Sequence, residues 1–168
     1  FSAITAYRMA QEQSGSFLLR IEDTDTQRSR KNWENLIYED LAWLGLKWEE
    51  PVLRQSKRKE AYQDALSRLD ALGLLYPCAC TRTDIETALS APQEGVSPFG
   101  PDGRIYPGTC RSRPMLDAHL GDALRLDTRK AVTLLGSDLS YVEHKDGTER
   151  HQSICPVQLI NQVGDIVL

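Results

Sequence analysis

The sequence predicts a layered α/β domain, and three observations lead to that class. Stretches of helical apolar period each close on a glycine, short continuous apolar runs alternate with them, and two cysteines one residue apart introduce a long proline- and glycine-rich segment. Helical and strand periods in alternation are the pattern of helices packed on a sheet. With 168 residues, 40% of them hydrophobic, the chain suffices for one core of ordinary size and a small inserted unit.

Taken in order, Phe1, Ile4, Tyr7 and Met9/Ala10 recur at near-helical spacing up to Gln13, and Gly15 supplies a stop. "SFLLRIE" then reads as a strand covered on both faces of a parallel sheet. After the polar loop "DTDTQRS", Trp33, Leu36, Ile37, Leu41 and Leu44 form an apolar stripe that ends at Gly45. A loop through "KWEEPVLRQS" leads to a third helix, with Tyr62, Ala65, Leu66, Leu69 and Leu72 on one face and Gly73 at its end. "LLYPC" follows as a strand, and "TRTDIE" as a helix start. Residues 91–114 carry five prolines and four glycines with no helical period, so they cannot make a core of their own. Beyond them "ALRLDT", "VTLLGSDLSYVEH" and "HQSICPV" read as short strands, with Lys145, Asp146 and Gly147 as a turn.

Charge narrows the choice of partner. Twenty Lys plus Arg against 24 Asp plus Glu give a net charge of −4, so any nucleic-acid contact must come from local clusters. Three such clusters stand out: Arg28, Arg30 and Lys31; Lys57, Arg58 and Lys59; and Arg104, Arg111 and Arg113. They read as ordinary solvated charge. The chain has no apolar run of membrane-spanning length, and its first residues lack the order of a secretory signal, which makes a cytoplasmic protein the expectation.

The cysteines bracket the segment that needs support. Cys78 and Cys80 stand before the proline-glycine stretch and Cys110 near its end, and a shared zinc ion would staple it. Zn–S bonds near 2.3 Å put neighbouring sulfurs about 3.8 Å apart, which a C-x-C reaches in a tight turn. A disulfide between Cys78 and Cys80 would be strained. The bland reading is that the three are small core residues. From the residues alone the fourth donor stays open among Asp102, Tyr106, Ser112, His119 and Cys155, the last flanked by apolar neighbours as buried structural cysteines are. The second informative stretch is "RIEDTDTQRS". Glu22 ends an apolar strand, where open α/β sheets present ligand-facing groups, and a carboxylate there suits an ammonium. Asp23, Asp25 and Glu34 match positions 1, 3 and 12 of a calcium loop, but Arg28 stands where glycine is required. On spacing alone, capping of the next helix by Asp25 or Ser29 is the simpler reading.

"RIEDTD", "LAWLGLKWEE", "LRQSKR" and "YPCACTRTDIE" followed by "IYPGTC" stand in one order along the chain. In that order they resemble the glutamyl-tRNA synthetase family of class I aminoacyl-tRNA synthetases, and within it the short branch that modifies queuosine. The resemblance implies a partial Rossmann-like catalytic domain with a small zinc-binding insertion, divided as residues 1–75, 76–114 and 115–168, the last a β-rich connection back to the catalytic domain. It implies that Glu22 contacts the amino group of substrate glutamate. It also implies that zinc is held by Cys78, Cys80, Tyr106 and Cys110, the metal's charge making the phenol a donor. Ser112 occupies the place of a histidine found in zinc-bearing glutamyl-tRNA synthetases, which favours the queuosine branch.

The implied reaction is ATP-dependent formation of glutamyl-adenylate with Mg²⁺, then transfer of the glutamyl group to queuosine in the tRNA(Asp) anticodon. No membrane partner is expected, and a monomer is. The HIGH-like and KMSKS-like segments that contact the phosphates are not in this sequence. No catalytic residue is therefore assigned, and the chain is expected to be a fragment inactive alone. Two other readings stand beside this one: a truncated glutamyl-tRNA synthetase, and a non-catalytic zinc-stabilised RNA-binding module.

Overall fold

The structure, a computed structural model, describes residues 1–25, 27–90, 98–101, 103–137, 139–145 and 147–168. Two compact units divide at Asp64/Ala65. Among the described residues no helix is long and apolar enough to cross a membrane.

In the first unit, helix α1 (Ser2–Glu12) precedes strand β1 (Arg20–Ile21), and helix α2 (Lys31–Trp43) leads to strand β2 (Leu53–Arg54), which pairs with β1 in parallel, Arg20 opposite Leu53 and Ile21 opposite Arg54. Two parallel strands joined through a helix are the unit from which layered α/β folds are built. The expected doubly covered strand "SFLLRIE" is a correction. Only Arg20–Ile21 is strand, Leu18 is 70% exposed, and the main chain reaches the 49–53 segment at isolated points, the Phe17 and Leu19 carbonyls accepting from Glu49 and Leu53. A continuous apolar run does not distinguish a covered strand from an extended segment with one neighbour. Two of the three glycine stops hold, Gly45 at φ +73° and Gly73 at φ +68°, where a side chain is strained; after α1 it is Ser14, at φ +52°, and not Gly15 that takes the left-handed conformation. The α2 stripe is less buried than its period suggests, with Leu41 inside but Trp33 and Ile37 on the wall of a cleft.

Helix α3 (Lys59–Ala71) carries the chain across the division, and strand β3 (Leu75–Cys78) begins the second unit's sheet. Strand β6 (Ala123–Leu126) pairs with it antiparallel, Tyr76 opposite Arg125 and Cys78 opposite Ala123. Residues 166–168 add main-chain bonds along the other edge of β6, through a bridge between Arg125 and Val167. Every residue of β3 is buried. After β3, helix α4 (Arg82–Ser90) starts at Thr81, whose hydroxyl accepts from the Asp84 amide while Asp84 accepts from the Thr81 amide. This reciprocal pair satisfies helix-end donors that would otherwise lack partners. Residues 91–97, the middle of the proline-rich segment, lie outside the described residues.

A short hairpin, β4 (Phe99–Gly100) with β5 (Gly103–Arg104), follows. Helix α5 (Thr128–Leu135) corrects the strand expected at "VTLLG". Asp127 caps it by accepting from the Lys130 amide, and Gly136 closes it at φ +61°. Matched caps at both ends prevail over the β preference of Val132 and Thr133. Strands β7 (Leu139–Lys145) and β8 (Thr148–Ile154) form the expected hairpin, with Lys145 opposite Thr148; Asp146 of the turn lies outside the described residues. A helical turn (Pro156–Gln158) runs into a π-helical turn (Leu159–Val163).

The core of this second unit is Tyr76, Cys78, Tyr106 and Cys110, with Cys80 and Ile85 packed against it. Hairpin β4–β5 is seated by a close approach. A Cβ on Gly100 would lie 1.8 Å from the Gln162 carbonyl oxygen of the π turn. Gly100→Ala must therefore separate these two backbones, at a cost of about 1–3 kcal/mol. Thermal unfolding is expected to shift down by about 2–4 °C per kcal/mol; an unchanged midpoint contradicts this contact.

Candidate metal centre and neighbouring acidic cleft

Three chain segments build the donor cluster. Strand β3 ends at Cys78, and the chain turns before α4 so that Cys80 comes back to the same side. The third segment is the turn Tyr106–Cys110, where Gly108 at φ +85° gives the reversal and leaves space for the Arg111 guanidinium, which a Cβ would meet at 2.6 Å. The sulfurs of Cys78, Cys80 and Cys110 lie within 4.8 Å of one another, those of Cys80 and Cys110 3.4 Å apart.

The Tyr106 hydroxyl stands among them. It is 3.3 Å from the Cys78 sulfur and 3.5 Å from that of Cys80, and it accepts from the Cys110 amide at 2.9 Å. Tetrahedral zinc with Zn–S near 2.3 Å and Zn–O near 2.0 Å calls for S···S of about 3.8 Å and O···S of about 3.5 Å. The donor set fits a tetrahedral ion. Without one, the same groups can only hydrogen-bond each other. Burial pushes the Cys80 thiol up to about 11 and, with the hydrogen bonds that link the phenol to the thiols, raises Tyr106. Burial likewise acts to raise Cys110, but hydrogen bonds from Tyr106 and Cys80 prevail and draw it down to about 7.

Of the other fourth-donor candidates, Ser112, His119 and Cys155 are exposed and outside the cluster, and Asp102 lies outside the described residues. The buried structural role expected of Cys155 is a correction: its flanking residues Ile154 and Pro156 are half-buried, and the thiol faces outward.

Three polar residues behind the cluster were not singled out in the sequence. The Asp165 carboxylate, 1% exposed, accepts from the Tyr76 hydroxyl at 2.5 Å, Arg111 Nε at 2.7 Å and the Thr128 amide at 3.0 Å. Arg125 lies with its guanidinium 3.8 Å from the centroid of the Tyr106 ring. Tyr76 opposes Arg125 across β3 and β6. The available signals were an arginine between two leucines in a strand and an acid inside the terminal apolar run.

The acidic stretch lies in the first unit, on an open cleft of about 750 Å³. Glu22, directly after β1, lines it with its carboxylate 63% exposed and 2.6 Å from Arg20 Nη2. Asp23 also lines it and accepts from the hydroxyl and amide of Ser56, which together hold its carboxyl below the usual range. The capping expectation is corrected here. Asp25 accepts from the Gln27 and Arg28 amides and so closes its own turn, while α2 is headed by Arg30 with no side-chain cap. At the back of the cleft Glu34 accepts from Arg54 and from the Tyr38 hydroxyl. The basic residues Arg28, Arg30, Lys31 and Lys57, from two of the sequence clusters, line the same cleft.

Comparison with known proteins gives this geometry a family context. The family model for tRNA synthetases class I (E and Q), catalytic domain, matches residues 2–99. A Rhodobacter capsulatus protein named glutamyl-Q tRNA(Asp) synthetase is 48% identical over the whole chain, which spans 60% of that protein. A Symbiobacterium thermophilum protein of the same name is 44% identical over 66% of the chain and 35% of its own length. An Aquifex aeolicus glutamate–tRNA ligase is 39% identical over 66% of the chain and 22% of its own length. Among solved structures, a glutamate tRNA ligase from Elizabethkingia meningosepticum, crystallised with its amino acid, superposes with a TM-score of 0.59 at 21% identity, over 96% of the chain and 35% of that protein. This last likeness is one of fold.

Arg54 and then Tyr38 hold the Glu34 carboxyl below its usual range. The resulting stability is present above the unfolded value of about 4.3 and is lost as pH falls through the lower folded value. Arg54→Met removes the larger cause, so the Glu34 carboxyl is expected to titrate at higher pH, and acid unfolding to begin earlier. Carboxyl NMR of Glu34 checks this; an unshifted titration contradicts it.

Proposed function

The chain belongs to the catalytic-domain family of class I tRNA synthetases for glutamate and glutamine, and from that premise we propose that the full protein activates glutamate with ATP and passes the glutamyl group to queuosine in tRNA(Asp). The observation that carries this is a largely exposed carboxylate, paired to Arg20 through one oxygen, at the end of the parallel strand. Glu22 follows the parallel strand, faces an open cleft, and keeps most of its surface available although Arg20 touches one oxygen. Ligands of α/β sheets bind beyond the carboxyl ends of strands, and a carboxylate there suits the ammonium of an amino acid. The name of two relatives, glutamyl-Q tRNA(Asp) synthetase, supports the choice of acceptor.

In this reading the substrate's carboxylate attacks the α-phosphate of ATP, and pyrophosphate leaves. A hydroxyl of queuosine's cyclopentenediol then attacks the acyl carbon, its proton is released, and AMP leaves. No covalent bond to the protein is required, and the task of these residues is positioning. Glu22 holds the ammonium, and Arg20, 2.6 Å away, fixes the direction of its carboxylate. Mg²⁺ supplies charge neutralisation at the phosphates. No residue of this chain is assigned to hold it, and none is assigned a catalytic role.

Cys78, Cys80, Tyr106 and Cys110 hold a structural zinc ion in the same proposal. The donor distances support it, as does the convergence of three sulfhydryls and one phenol oxygen at one point. The ion supplies a rigid four-way joint there. Residues 76–114 then act as one inserted element between the catalytic segment 1–75 and the β-rich segment 115–168. The location that goes with these partners is the cytoplasm, and the state a monomer.

The test uses the full-length protein. Glutamate-dependent ATP–pyrophosphate exchange without tRNA is expected, followed by glutamylation of queuosine-bearing tRNA(Asp). Charging of tRNA(Glu) instead identifies a glutamate–tRNA ligase, and absence of any exchange identifies a binding module. Glu22→Gln is expected to raise KM for glutamate about 10- to 100-fold, the loss of one charge-assisted bond. An unchanged KM removes Glu22 from the amino-acid site.

A further inference from the structure

Arg125 is 9% exposed, and β6 carries it inward between Leu124 and Leu126. Its bonding is incomplete. Nη1 donates to the Asp165 main-chain carbonyl at 2.9 Å, and Nε has no partner. A guanidinium removed from water needs a negative partner. The nearby Asp165 carboxylate is already taken up by Tyr76, Arg111 and Thr128. What faces Arg125 is the Tyr106 ring, 3.8 Å from its Cζ.

A neutral phenol ring returns only about 0.5–2 kcal/mol to such a cation. The balance changes if Tyr106 is a metal donor. A divalent ion with three thiolates and one phenolate carries a net charge of about −2, and Arg125 then lies against an anionic group. Resting on the zinc reading above, we infer that Arg125 is the positioning residue for Tyr106: stacked on the ring, it fixes the phenol oxygen toward the three sulfurs and offsets the charge of the four-donor set.

The experiment measures zinc affinity by chelator competition, together with the d–d spectrum after Co²⁺ substitution, at one fixed pH on the full-length protein. Uptake of about one zinc by the unaltered protein tests the metal reading itself. No uptake removes both the zinc reading and this inference. Given uptake, Arg125→Met is expected to weaken zinc binding about 10- to 100-fold, the range for residues that orient a metal ligand, and to change the Co²⁺ spectrum. Arg125→Lys, which keeps a cation over the ring, is expected to fall between Met and wild type.

Tyr106→Phe provides the decisive background. It removes the oxygen and keeps the ring, so adding Arg125→Met there is expected to cost little more. An equal loss in both backgrounds shows a merely structural arginine and overturns the inference, as does unchanged affinity of Arg125→Met. If Arg125→Met fails to fold without metal, Arg125→Lys carries the same comparison against Tyr106→Phe.

Discussion

Four hydrogen-bonding side chains from three separate segments meet at one point in the second unit, and its arrangement follows from that meeting. Cys78 ends a fully buried strand, Cys80 returns from a turn, and Tyr106 and Cys110 face inward from a glycine-dependent reversal. Polar groups in a core need saturated bonding. Here each relies on the others, with the Tyr106 oxygen in contact with two sulfurs and an amide. Such a core is small and exacting, because displacing any one donor leaves its partners unmatched. It is also the means by which a segment too rich in proline and glycine for a core of its own is tied to a sheet.

The support around this point is layered. Asp165 joins β3 through Tyr76, the turn through Arg111 and the start of α5 through Thr128. One carboxylate thereby ties together elements up to 89 residues apart in sequence. Arg125, from the central strand β6, fills the space between this carboxylate's main chain and the Tyr106 ring. The cluster is therefore backed by charged groups, and hairpin β4–β5 is seated against the π turn at Gly100. In the first unit the pattern differs. In the cleft wall Asp23 is bonded to Ser56 and Glu34 to Arg54, while Glu22, paired to Arg20 through one oxygen, keeps its carboxylate toward solvent.

Local signals were legible in the sequence where a residue's role is local. Gly45 and Gly73 close helices because their left-handed geometry is a property of one position. The C-x-C pair and Cys110 were legible as a bracket around a segment that needed support. Tyr106 was not distinguishable from Asp102, Ser112, His119 or Cys155 by chemistry alone; only the likeness to a family selected it. Asp165 and Arg125 act across the fold, and a polar residue inside an apolar run does not announce its partner. The readings that changed, the length of β1 and the helix at Thr128–Leu135, are cases where a short apolar run fits either period and the neighbours or caps decide.

The account stands or falls on one ion sharing three sulfurs and one phenol oxygen. Zinc-edge X-ray absorption on the full-length protein, purified without chelators, measures that shell directly. Three sulfurs at about 2.3 Å and one oxygen at about 2.0 Å are predicted. A shell of four sulfurs, a shell with imidazole nitrogen, or no bound zinc would contradict it.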